Sequence, residues 1–225
     1  MNLNKIWEIL LDCIFPRKSI NQIVGWHNSN ILNTKTAKDV SQNYNKDEFY
    51  NSKVIVATDY KLIKTAIYNF KYLHHQYLGE TLGQLLSQKV AKSINSGELE
   101  LADLITFVPA DPKRLKIRGF NSPQVLAHNL AKELKLESVG IFEKIKHTKA
   151  QAGLSKSQRL ENLDGVFKLN LDTQTQTKLA KAKSIYLVDD VIASGQTVSK
   201  LNKILFEYYP KLMIINIALA RNEEI

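Results

Sequence analysis

The chain has 225 residues, 44% of them hydrophobic and 24% charged, with a formal net charge of +9 and one cysteine. This is the composition of a globular protein with room for a core, arranged as one domain with an appendage or as two small ones. The lone Cys13 excludes an internal disulfide and any zinc site built on two or four cysteines, and the positive balance favours anionic partners: nucleic acid, phosphorylated metabolites or an acidic membrane surface.

The N-terminal stretch carries Ile6, Trp7, Ile9, Leu10, Leu11, Ile14 and Phe15, interrupted by Glu8 and Asp12. It is shorter than the roughly 20 apolar residues that span a bilayer and lacks a basic start followed by a small-residue cleavage site. It therefore reads as an amphipathic helix packed on the protein, with no membrane span, and a reducing cytoplasm is the expected compartment. Residues 28–51 are rich in Asn, Ser, Thr and Lys, hold no period of 2 or 3.6, and read as loop that Trp26 and His27 could pin. Residues 1–52 form an N-terminal region, and residues 53–225 form the main domain.

Residues 53–58 are a β-rich run. Leu62, Ile63, Ala66, Ile67 and Phe70 follow at helical spacing, and Leu78, Leu82, Leu85, Leu86, Val90 and Ile94 mark a longer helix. His74 and His75 lie between these helices, but adjacent residues do not share a helix face and no carboxylates accompany them, so a metal site is not indicated. Residues 104–109 are a buried strand. It runs into a loop at 109–114 closed by Lys113 and Arg114, with Lys116 and Arg118 just beyond. In open α/β sheets ligands bind at the carboxyl ends of strands, so a cationic loop here suits a pyrophosphate. Ser122 as N-cap and Pro123 in the first turn start a helix with Val125, Leu126, Leu130 and Leu134 inward. Strands are expected at 141–145 and 165–169, a short helix from Ser155 or Ser157, a polar linker at 173–177, and a last apolar strand at 212–219 followed by Ala220 and Arg221.

The most informative stretch is 185–197. Ile185 to Val188 are apolar in succession, as in a strand buried on both faces. Asp189 and Asp190 follow, then a small-residue loop, then a helix from about Gln196 with Val198, Leu201, Ile204, Leu205 and Tyr208 inward. Ala193, Ser194 and Gly195 leave the backbone open to an anion, and Gly195 permits unusual dihedrals. Ser194 and Thr197 add hydroxyls, and the helix start adds free N–H groups and the positive end of its dipole. The carboxylates repel phosphate but accept hydrogen bonds from two vicinal hydroxyls, or help to hold Mg2+. A ribose 5-phosphate satisfies both halves.

This run resembles the phosphoribosyl-pyrophosphate (PRPP) motif of type I phosphoribosyltransferases: apolar strand, Asp-Asp, apolar-x-small-Ser-Gly-x-Thr. Three more stretches resemble the ComF family in particular. They are Val108-Pro109 leading through Arg114 into Arg118-Gly119-Phe120-Asn121; Thr148, Gln151, Leu154, Ser155 and Arg159 at the family's spacing; and Ala220-Arg221 near the C-terminus. With residues 68–86 also similar, the likeness covers about 53–225. Many members begin with a four-cysteine zinc ribbon, of which only Cys13 stands here, so the N-terminal region would be a metal-free remnant with no zinc. The residue after the motif's asparagine is commonly Gln and here is Ser122.

The resemblance implies an α/β domain, a parallel sheet flanked by helices with a crevice at the strands' carboxyl ends. It implies that Asp189 and Asp190 bind the ribose hydroxyls and that Ala193, Ser194, Gly195, Gln196 and Thr197 hold the 5-phosphate. Ala110, Asp111, Lys113 and Arg114 would face pyrophosphate, with Arg118 and the 146–159 segment near a hood over the site. PRPP with Mg2+ is the implied ligand, and DNA uptake in natural competence the implied setting. Asp189, Asp190 and Arg118 would be the catalytic residues of a glycosyl transfer. Three functional readings stand: a PRPP-binding protein of DNA uptake or processing, a nucleobase or amine phosphoribosyltransferase of nucleotide salvage, and a non-catalytic factor that binds single-stranded DNA or a competence helicase. Aromatic residues are 8% of the chain and are expected mostly in the core, which leaves base stacking a weak signal.

Overall fold

The structure is a computed structural model, and it describes residues 52–72, 78–146, 165–170 and 172–222. The expected N-terminal helix, Cys13, the His74–His75 pair and the 148–159 segment lie outside the described residues. Among the described residues a four-stranded parallel sheet runs in the order β1 (Lys53–Asp59), β6 (Met213–Arg221), β5 (Ser184–Ile192), β2 (Leu104–Phe107). A separate antiparallel pair joins β3 (Phe142–Lys144) to β4 (Phe167–Leu169).

Parallel strands need cover on both faces, because their crossovers are helices. Successive side chains of a strand point to opposite faces, and β5 shows the consequence. Tyr186 and Val188 enter a core shared with α1 (Tyr60–Tyr72), α2 (Leu78–Asn95) and α4 (Ser122–Leu134), while Ile185 and Leu187 enter a second core with α5 (Thr173–Lys181), α6 (Gln196–Tyr208) and the β3–β4 pair. α2 and α4 approach closely: a Cβ added at Gly83 would fall 2.5 Å from the Cβ of Asn129. Ser52, just ahead of β1, accepts hydrogen bonds of 2.9 Å from the buried amides of Asn202 and Asn216, which ties the start of the domain to α6 and β6. No helix among the described residues is long and apolar enough to cross a membrane.

Several expectations need correction. Residues 173–177, read as a linker, begin α5. Its apolar signal is thin, with Thr175 and Leu179 buried, but Asp172 caps it by accepting the Thr175 N–H at 2.6 Å. The loop expected at 109–114 ends at Asp111, and α3 (Pro112–Arg118) follows, closed by Gly119 in the left-handed region at φ 80°. α4 is capped at Asn121 rather than Ser122. Tyr208, expected inward on α6, is 65% exposed. The acidic pair and Ala220–Arg221 lie inside β5 and β6 rather than beyond them.

Candidate functional site

β5 runs through both aspartates as far as Ile192, so its alternation divides the pair. Asp190 turns to α1, whose Lys71 it meets, and Asp189 lines the hollow at the start of α6. Asp190 is 6% exposed. Its carboxylate meets the Nζ of Lys71 at 2.6 Å, a partner brought by the last turn of α1 from 119 positions away. The Asp190 N–H donates to Asp189 Oδ1 at 2.8 Å. Asp189 keeps some open surface, but the surrounding protein strips water from its carboxyl group. That desolvation, with the negative charge of Asp190 added, pushes its pKa up to about 7; Lys71 and the Asp190 N–H pull the other way.

On the Asp189 side the chain leaves β5 through Ala193 and Ser194 to Gly195, which caps α6 at φ 74° and ψ −6° with no side chain bonded to the helix start. This left-handed geometry costs an L-residue with a Cβ roughly 1–2 kcal/mol. Residues 191–198 and Asp189 line a hollow of about 60 Å³ at the mouth of the helix. All five residues expected to hold a 5-phosphate (Ala193, Ser194, Gly195, Gln196 and Thr197) are therefore in one place, at a helix start whose first N–H groups lack intrahelical acceptors.

On the Asp190 side a larger cavity, about 260 Å³, is lined by both aspartates together with Lys71, Ala110, Asp111, Arg114, Arg118 and Lys144. Asp189 and Thr197 line both spaces, so the two adjoin. Lys113 is exposed and stands outside the lining. Asp111 is engaged with the protein itself: one carboxylate oxygen accepts the Lys113 N–H at 3.0 Å as the cap of α3, and the other lies 3.2 Å from Lys144 Nζ. Burial lowers the pKa of Lys144, and Asp111 offsets that effect.

The stretch 118–121 acts as a clamp on this cavity. Arg118 donates to Ser122 Oγ at 3.0 Å and lies over the Tyr72 ring at 5.1 Å. Phe120 packs on Phe70, with centroids 5.1 Å apart, and the buried Asn121 amide donates to the Val108 carbonyl at 3.0 Å. Ser122, where the family pattern commonly has Gln, thus holds Arg118. Lys71 and Lys144 were not among the residues singled out in the sequence: each arrives from a distant element, and no local pattern announces it. Aromatic residues are expected mostly in the core, but Tyr68 and Tyr72 are 56% and 54% exposed.

No group of three or more His, Cys, Asp or Glu residues that could hold a metal occurs among the described residues. A divalent cation would find the two adjacent carboxylates here and would take its remaining oxygens from a ligand and from water.

Known proteins bear on this geometry. The phosphoribosyl transferase domain is matched by residues 124–225. Competence protein F of Haemophilus influenzae is 29% identical over 157 residues, covering 69% of this chain and 67% of its own length. The DNA utilization protein YhgH of Salmonella typhimurium is 28% identical over 155 residues, and its Escherichia coli counterpart 26%; each alignment covers 68% of this chain and 65% of the relative. The chain thus spans about two thirds of the length of the curated relatives it matches.

Proposed function

Because the chain is a ComF-like protein with a phosphoribosyltransferase fold, we propose that it binds PRPP with Mg2+ at the carboxyl edge of its sheet and works in the uptake or processing of DNA. The observation that carries this reading is the order of parts along one crevice: a backbone hollow at the start of α6, the acidic pair beside it, and a cationic cavity beyond. A 5-phosphate, a ribose and a pyrophosphate follow one another in that same order. The names of the relatives, a competence protein and DNA utilization proteins, supply the setting.

The chemistry needs no protein nucleophile. The bond from C1 of the ribose to the pyrophosphate oxygen breaks and its electron pair leaves with pyrophosphate. The ribosyl centre becomes cationic, and the lone pair of an acceptor closes on C1. Asp189 and Asp190 accept from the ribose hydroxyls and set negative charge near the cationic ring, while Arg114 and Arg118 face the departing anion. Asp189, with its raised pKa, fits a site that completes its charge on loading. Mg2+, held by Asp189, Asp190 and ligand oxygens, would neutralise charge on the leaving group.

The test is calorimetric titration of PRPP with Mg2+ beside the Asp189→Asn/Asp190→Asn variant. Wild-type binding that falls at least a hundredfold in the variant, with the melting temperature retained, is the expected result. Absence of binding to the wild type overturns the reading.

One observation favours a second reading, in which single-stranded DNA is the partner and no transfer occurs. Exposed Tyr68 and Tyr72 sit with ring centroids 5.1 Å apart, Arg118 stacks on Tyr72, and Lys113 and Lys116 are exposed on adjoining α3. Aromatic faces beside cations are what unpaired bases stack on. DNA binding that weakens steeply with salt, without pyrophosphate release, would select it.

A further inference from the structure

The Asp-Asp motif holds no cation of its own, and the fold supplies one from elsewhere. α1 ends against the carboxyl edge of the sheet, and Lys71 in its last turn places Nζ 2.6 Å from Asp190 Oδ1 with only 18% of its side chain exposed. The same side chain lines the 260 Å³ cavity with Arg114 and Arg118. Of the other lysine there, Lys144, the ammonium is paired with Asp111. An ammonium has three N–H donors and a carboxylate about four lone-pair sites. One N–H on Asp190 leaves Lys71 donors for an anion in the cavity, and leaves Asp190 acceptor sites for ribose hydroxyls.

We propose that Lys71 is a binding residue for the diphosphate of the ligand, held in place by Asp190, so that ribose and diphosphate are gripped by one ion pair. This rests on the phosphoribosyl reading above. Lys71 then has two tasks. It fixes the position of the Asp190 side chain when the site is empty, and it directs positive charge to the oxygens of the group that leaves C1. A compact ammonium suits that position, because it turns its remaining donors without losing its anchor.

The experiment titrates three probes, each with Mg2+: inorganic pyrophosphate, ribose 5-phosphate and PRPP, against the wild type, Lys71→Met and Lys71→Arg. Methionine keeps the length of the stem and removes the charge. The expected result is a ten- to hundredfold loss of affinity for pyrophosphate and PRPP in Lys71→Met, the range of a charge-assisted hydrogen bond, with a clearly smaller loss for ribose 5-phosphate, which feels the change only through the contact of Lys71 with Asp190. Lys71→Arg, which keeps both charge and ion pair, should recover part of the loss and guards against a folding defect in the methionine variant. Equal losses for all three probes would make Lys71 a prop for Asp190 alone and overturn the proposal, as would unchanged pyrophosphate affinity. A wild type that binds none of the probes overturns the phosphoribosyl reading itself, a result distinct from either.

Discussion

The small hollow beside Asp189 and the larger cavity beside Asp190 share two lining residues, yet they are made of different material. The hollow is built from one contiguous stretch: the end of β5, the small residues Ala193, Ser194 and Gly195, and the first turn of α6. The cavity is side chains from four separate places: Lys71 at the end of α1, Arg114 and Arg118 on α3, Lys144 on β3, and the aspartates on β5. Main-chain donors sit at fixed positions set by helix geometry, so that end is preorganised for one anion shape. Side-chain cations adapt but must be positioned, and here each positioned one carries a second contact: Lys71 with Asp190, Arg118 with Ser122 and Tyr72, Lys144 with Asp111. A backbone end is broken by changing one backbone position, whereas a side-chain end loses affinity in increments.

The largest effect should therefore come from the backbone end. Gly195→Val puts a β-branched residue at φ 74° in a buried position that lines the hollow. Ribose 5-phosphate binding should vanish from calorimetry, with stability lowered by about 1–2 kcal/mol from left-handed strain. Retained ribose 5-phosphate affinity would move the phosphate elsewhere. The side-chain end should yield less. Arg114→Ala removes one lining cation on exposed α3, where the helix buries no residue against the core. PRPP affinity should fall about tenfold, within the range of one charged hydrogen bond, while ribose 5-phosphate affinity and melting temperature stay put. If ribose 5-phosphate fell in parallel, the division of the crevice into two ends would be wrong.

The same division explains what could be read in the sequence. The backbone end is contiguous: strand, acidic pair, small residues, Gly195, helix. Every part of it is visible in residues 185–197, and the structure brings these residues together at the strand's carboxyl end. The side-chain end is assembled across the chain, and Lys71 reaches Asp190 over 119 positions. Nothing in the local pattern of α1 sets that lysine apart from Lys61 or Lys64. α3 escaped notice for a different reason. It buries no residue, so it has no apolar stripe to betray it, and it exists because Asp111 caps its start, Pro112 opens it and Gly119 closes it. α5 was hidden by Thr and Gln at positions that a more apolar sequence would have marked, although Asp172 announced its start. Ile185 to Val188 read as a strand buried on both faces, but taking the strand to end there concealed that β5 continues through Asp189 and Asp190 to Ile192.

Asp189 belongs to both ends, and its protonation offers the finest test of the comparison. Burial and the charge of Asp190 raise its native pKa from 3.8 to about 7. Between those values the folded, ligand-free protein holds a proton that the unfolded chain has released. Stability contributed by this group is therefore present at low pH and lost as pH rises toward 7; above that range both states are ionised and the effect is flat. The melting temperature of the ligand-free protein should fall more steeply from pH 5 to pH 8 in the wild type than in Asp189→Asn, where the group no longer titrates. Ligand binding should carry the opposite sign. A ribose hydroxyl pair or a divalent cation needs the ionised carboxylate, so PRPP with Mg2+ should bind more tightly at pH 8 than at pH 6 and expel part of a proton near neutrality. Titration in two buffers of different ionisation enthalpy measures that proton directly. Its absence, together with identical pH slopes in wild type and variant, would mean that water reaches the Asp189 carboxyl group freely enough to leave it ionised in the empty site.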